Sequence, residues 1–289
     1  MNGLIVLVLA SGAVQAAEQK VHRDLPYAGT THRLQTLDVY APSGGSHHPV
    51  LVWIHGGGWR QGDKSNVQHK PQAFIQHGFV FVSVNYRLAP EVSLKEMAGD
   101  VAKAIRWVHD HIADYGGDPR AIYVAGHSAG AHLAALVCTD ERYLSREKLS
   151  LELIKGCIPV DTAVYDVGQQ IKESGPLRAQ LYVTVFGEDP NLHREFSPIH
   201  HVAKAKGIPP FLILHVADRP DSTAQSRSFG AALQAASVYA KVVACKGQNP
   251  CHHQPRSWLG RRLPYPGNVP IPHGDARHKE HVGGVVRAR

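Results

Sequence analysis

The chain has 289 residues, 43% of them hydrophobic and 19% charged, the balance of a globular protein with a substantial core in one large domain or two small ones. Its formal net charge of +7 would suit an anionic partner, but seven Lys/Arg against two Asp/Glu fall from Pro250 onward, which leaves only +2 for everything before. With the excess confined to the tail and no nucleic-acid motif beside it, the composition argues against a nucleic-acid-binding protein.

The chain opens MNGLIVLVLASGAVQAAEQK, with an apolar run from Leu4 to Ala10 followed by small residues. Val14 and Ala16 stand as in a small-x-small cleavage site. Residues 1–16 therefore read as a signal peptide, and the mature protein as secreted or periplasmic rather than cytoplasmic. No Lys or Arg precedes the apolar run, which departs from that pattern; a buried first strand or a misplaced start codon are the competing readings. The run is too short to span a bilayer as a helix, so no membrane span is expected.

Short apolar runs then alternate with longer helix-like stretches. PVLVWIHG (Pro49–Gly56), FVFVSVNYRL (Phe79–Leu88), AIYVAGHS (Ala121–Ser128), IKGCIPVD (Ile154–Asp161), PPFLILHVAD (Pro209–Asp218) and AKVVACKG (Ala240–Gly247) read as strands. Their apolar character is nearly continuous, as expected where helices cover both faces. Ser93 can cap a helix in which Met97, Val101, Ile105 and Val108 recur at helical spacing and which Gly116 can stop. Ser222 to Ser237 is a second helix, with Ser222 as its N-cap. The alternation predicts an α/β protein with a mostly parallel central sheet and helices on both faces. Residues 162–205 fit this rhythm poorly and read as a small cap inserted over the sheet. The domain then runs over 17–249.

Two glycine motifs sit at strand ends. In HGGGW (His55–Trp59) the three glycines let the backbone turn sharply and approach a ligand closely. In Gly126-His127-Ser128-Ala129-Gly130 a serine is caught between a strand and an apolar helix. Small neighbours permit a strained turn that lifts Ser128 Oγ to the carboxyl end of the sheet, over a helix N-terminus. Trp59 reads equally as a pocket wall or as core.

HGGGW, VNYRLAPE and GHSAGAHLA, in this order, resemble the α/β-hydrolase superfamily, nearest to hormone-sensitive-lipase-like esterases and the neighbouring arylformamidase-like enzymes. The likeness runs from about Thr36 to Asn249. It implies an α/β-hydrolase fold and a serine hydrolase acting on a small-molecule carboxylic ester, with formamide or aryl-amide cleavage as a variant. Neither cofactor nor metal is implied. Ser128 would be the nucleophile, and the N–H groups of Gly57, Gly58 and Ala129 the oxyanion hole. Tyr86 and Arg87 would be structural. The triad acid would follow the strand after the cap, at Asp218, with Asp221 as the rival that could instead serve a helix N-terminus.

The base is the difficulty. Related enzymes carry approximately G-x-N-H after the last strand, whereas this chain reads GQNP, with Pro250 at the expected position. Beyond it lie His252 and His253; six prolines fall from Pro250 to Pro272, with no sustained period. One extra base after the Asn249 codon accounts for both features. With suitable synonymous codons, NPCHHQPRSWLG becomes N-H-A-T-I-N-R-D-L-G once a single C is removed. Residues 250–289 then read as a frameshifted tail. Otherwise His252 or His253 swings in, or the chain is a non-catalytic relative.

Cys138 and Cys157 lie in apolar runs and read as core; a Cys245–Cys251 disulfide suits an exported protein. The 20 histidines contain no H-E-x-x-H and read as solvated surface residues rather than metal ligands.

Overall fold

The computed structural model describes residues 19–245. The leader expected at 1–16 and the tail at 250–289, with Pro250, Cys251, His252 and His253, lie outside the described residues.

Eight strands form one sheet: β1 (Gln19–Pro26), β2 (Thr36–Pro42), β3 (His48–Ile54), β4 (Val80–Val84), β5 (Gly117–His127), β6 (Ile154–Val160), β7 (Phe211–Val216) and β8 (Ala240–Cys245). Their order is β1-β2-β4-β3-β5-β6-β7-β8. β2 runs antiparallel to both β1 and β4, and every other neighbouring pair is parallel. The helices are α1 (Lys70–Gln76), α2 (Leu94–His111), α3 (Ala129–Thr139), α4 (Glu141–Arg146), α5 (Val167–Glu173), α6 (Pro176–Phe186), α7 (Pro190–Glu195) and α8 (Pro220–Ala235).

The period-2 alternation of each central strand feeds two cores. Val50, Val52 and Ile54 of β3 join Val80, Val82 and Val84 of β4 beneath Met97, Val101, Ile105 and Leu133 of α2 and α3. Leu51 and Trp53 point the other way, with Phe81, Ile158 and Leu212, against Phe74 and Ile75 of α1. Burial on both faces is why these strands read as unbroken apolar runs. α2 begins at a capping box: Ser93 Oγ accepts from Glu96 N–H, and Glu96 Oε2 accepts from Ser93 N–H at 2.9 Å. It passes into a 3-10 turn, Ile112–Tyr115, that ends at Gly116 with φ 80°.

Four features differ from the sequence reading or add to it. β1 and β2 carry no readable apolar pattern, because β1 is exposed almost throughout and β2 buries Asp38 against the Lys64 ammonium. The connection between β6 and β7 holds α5, α6, α7 and a 3-10 turn, Pro198–His201. α8 starts at Pro220, with Arg219 at the cap position, so Ser222 is a buried residue of the first turn rather than an N-cap. Cys138 and Cys157 are buried free thiols, and Cys245 is held in a disulfide. No helix among the described residues is long and apolar enough to cross a membrane.

Candidate active site

The parallel strands deliver three loops to one end of the sheet. Ser128 sits in the turn from β5 into α3 with φ 52° and ψ −117°, a conformation that costs a non-glycine residue about 1–3 kcal/mol. Its N–H donates to the carbonyl of Val160 at the end of β6, at 2.9 Å, and its own carbonyl accepts from Ala131 and His132 in the first turn of α3. The turn is this tight because of its glycines. A methyl on Gly126 would overlap the Gly130 backbone, and one on Gly130 would overlap the carbonyl oxygens of Ile54 and His55. Ala129 is the first residue of α3, where helical geometry leaves backbone N–H groups without an intrahelical partner.

The glycine loop lies directly beside this serine. A methyl on Gly56 would stand 3.2 Å from Ser128 Cβ and 2.9 Å from the His127 carbonyl oxygen. Two peptide carbonyls of the loop are tied back. Gly56 O accepts from His55 Nδ1–H at 2.8 Å, and Gly57 O accepts from Arg60 and Gln61 N–H at 3.2 and 3.1 Å. In a planar trans peptide the N–H points opposite to the carbonyl. These ties therefore turn the N–H groups of Gly57 and Gly58 away from the loop's own acceptors. Gly57 and Gly58 need positive φ, 128° and 60°, to make the turn. His55 stacks on Tyr86 at 4.5 Å, and the Tyr86 hydroxyl donates to His55 O at 3.1 Å. Burial pulls the His55 imidazole below its ordinary pKa against weaker upward pulls from the Gly56 carbonyl and Asp63, so the ring stays neutral while it donates.

NYRLAPE is scaffolding. Arg87 Nε and Nη2 grip the two oxygens of Asp100 on α2 at 2.7 and 2.8 Å, and Asn85 Oδ1 accepts from Lys64 N–H at 2.6 Å. Trp59 is core: 3% exposed, it meets His132 at 5.4 Å and Phe186 and Tyr182 of α6 at 5.0 and 6.3 Å.

The third loop joins β7 to α8. Asp218 is exposed there, two residues past the strand. Asp221 stands in the first turn of α8, paired with Arg178 of α6 at 3.1 Å and Arg219 at 3.4 Å. The residue that organises this loop is Asp161, just past β6 and 3% exposed. Its carboxylate accepts from Arg219 Nη1 at 2.7 Å, Ser222 Oγ at 2.9 Å and Val216 N–H at 3.2 Å. Burial works against the Arg219 charge, but Asp161 and Asp221 outweigh it and hold its pKa above the ordinary value. The sequence reading ended a strand at Asp161 without assigning it a role; a carboxylate closing an otherwise apolar strand was the available signal.

Ser128, Ala129, Gly57 and Gly58 thus come together at the carboxyl ends of β3 and β5, and Asp218 lies on the loop anchored to the end of β6. Among the described residues no group of three or more His, Cys, Asp or Glu side chains is arranged to hold a metal ion.

A mostly parallel eight-stranded sheet in this order, with a strained serine turn beside a glycine loop, is the α/β-hydrolase fold. The chain belongs to the BD-FAE family, whose model matches residues 37–233. It is 35% identical over 236 residues to the esterase LipQ of Mycobacterium tuberculosis, covering 73% of this chain and 52% of that protein. It is 28% identical to the Arabidopsis thaliana probable isoprenylcysteine alpha-carbonyl methylesterase ICMEL1, covering 73% and 47%. The chain spans about half the length of these curated relatives. Among solved structures, the Pyrobaculum calidifontis esterase is similar with a TM-score of 0.65 and 26% identity, over 79% of this chain and 76% of that one. Esterase B of Lactobacillus rhamnosis has a TM-score of 0.70 at 21% identity over 83% of each chain, a likeness of fold.

Proposed function

We propose that this protein is a serine hydrolase of carboxylic esters that works through an acyl-enzyme on Ser128. The observation that carries the reading is the strained Ser128 turn packed against Gly56 of the glycine loop. Ser128 Oγ attacks the ester carbonyl. The oxygen that becomes negative lies among the N–H groups of Gly57, Gly58 and Ala129, and each such donor is worth about 3 kcal/mol in the transition state. The alcohol leaves with a proton, and water then releases the acid. Asp218 orients and charge-balances the imidazole that moves those protons. Helices α5 to α7, carried between β6 and β7, form the cap that bounds the substrate. LipQ and ICMEL1 are both named as esterases, which favours an ester over a formamide. The leader reading adds a secreted or periplasmic setting.

The imidazole is the weak link. With Pro250 where related enzymes carry histidine, the base is either His252 or His253 or was lost to a frameshift after Asn249. A serine without a base is a poor nucleophile, so loss of the base leaves oxyanion-hole catalysis alone.

The test is fluorophosphonate labelling and turnover of a short p-nitrophenyl ester, for this chain and for a version with the single extra base removed, each beside S128A. Labelling and turnover that vanish in S128A and rise about 10³-fold or more in the restored chain support the reading. Absence of both from the folded restored chain rejects the hydrolase and favours a non-catalytic relative. A gene read that contains no extra base rejects the frameshift.

A further inference from the structure

We propose that Asp161 is a positioning residue that sets where Asp218 stands relative to Ser128; the inference rests on the serine-hydrolase reading. Val160 and Asp161 lie between the two loops. The Val160 carbonyl takes the Ser128 N–H at 2.9 Å on one side. On the other, Asp161 N–H donates to Leu214 O at 2.7 Å, and the side chain then takes over from the ladder. Oδ1 accepts from Val216 N–H, the last residue of β7, and from Ser222 Oγ in the first turn of α8. Oδ2 accepts from Arg219 Nη1 at 2.7 Å. Asp218 falls between these anchors, so one carboxylate grips both ends of the segment that carries it.

The fold alone does not call for such a group. Burying the Asp161 carboxylate costs several kcal/mol of desolvation, and apolar packing of similar volume stabilises at least as well. What the pair adds is direction. Asp161 itself has φ 51°, which turns the chain so that its side chain runs along the sheet edge toward β7. Arg219 then passes the alternation on to Asp221 at 3.4 Å, and Asp221 to Arg178 of α6 at 3.1 Å. The line of alternating charge runs from the buried end of β6 to the helix that also lies on Trp59 beside the glycine loop. Movement of α6 and of the Asp218 loop is thereby coupled to the strand beside Ser128.

The experiment compares the full chain with D161N, R219Q, R219K and D218N by residue-resolved amide exchange and by ester hydrolysis. In D161N and R219Q, the amides of residues 216–222 should exchange at least about tenfold faster while those of β5 and β6 keep their protection. kcat should fall about 100-fold with KM within about twofold, the signature of a misplaced catalytic group rather than a lost binding contact. R219K keeps the charge and should regain most of the loss. R219Q touches a half-exposed side chain and keeps the test open if D161N fails to fold. Unchanged protection of 216–222 in both variants overturns the proposal. So does a D161N that loses as much kcat as D218N with the loop still protected, since Asp161 would then be the acid itself. Where the full chain turns over too little to measure, kcat and KM are read in the restored chain; absence of Ser128-dependent turnover there counts against the hydrolase reading alone, because amide exchange reads the loop in either case.

Discussion

The Cα of Gly130 lies against the carbonyl oxygen of Ile54, so close that a methyl group there would overlap it and the next carbonyl, His55 O. Both obstacles are backbone at the point where β3 feeds the glycine loop, so neither can swing aside like a side chain. G130A should destabilise the protein by about 3 kcal/mol, the upper end for overpacking, with the serine turn pushed off the glycine loop. Urea unfolding checks this; a loss under about 0.5 kcal/mol, the level of an inert surface change, would show that α3 and β3 can part without consequence.

Ser128 is held at φ 52° and ψ −117°. Glycine adopts that region without penalty, so S128G should gain about 1 kcal/mol in chemical denaturation even though it adds chain entropy to the unfolded state. The same substitution should remove fluorophosphonate labelling. A variant that is both more stable and unlabelled would separate the cost of the turn from its use.

What could be read from the sequence follows from how local the physics is. HGGGW and GHSAG were legible because backbone conformation itself demands glycine there, at Gly57 with φ 128° and at the crowded Gly126 and Gly130. β3 and β5 to β7 were legible because both faces are covered. β1 escaped because nearly every residue in it is exposed, leaving no pattern to find. Asp161, Arg219 and Ser222 escaped for another reason. Their contacts join residues 58 and 61 positions apart, and Ser222 looks like an ordinary helix cap until the fold brings Asp161 to it.

Arg87 and Asp100 tie the end of β4 to α2. Asp100 is fully buried and also accepts from Gln35 Nε2 at 2.7 Å, while Arg87 remains partly exposed. R87M strands the carboxylate and should destabilise by about 3–5 kcal/mol. R87M/D100N removes the charge as well, keeps an acceptor for Gln35, and should regain about half of that. If the double variant is as unstable as the single one in urea, the cost lies in lost packing of the Arg87 stem and not in the stranded charge.

His132, one helical turn beyond Ser128, sets a pH dependence of stability. It is fully buried and donates Nε2–H to Phe196 O at 2.8 Å. Burial pulls its pKa from 6.5 down to about 4, against a weaker upward pull from that carbonyl. Between those two values the unfolded chain takes up a proton and the folded chain does not. Stability is therefore whole above the unfolded value, falls as pH drops toward the folded one, and levels off below it. The size of the shift corresponds to about 3 kcal/mol, most of it lost by pH ~4.5. H132Q can keep a donor toward Phe196 but cannot titrate. Urea unfolding at pH ~7.5 and ~4.5 should show wild type losing about 2–3 kcal/mol more than H132Q across that interval. Equal losses in the two proteins would mean that His132 takes up its proton in the folded state, and that α6 and Phe196 open around it to admit water.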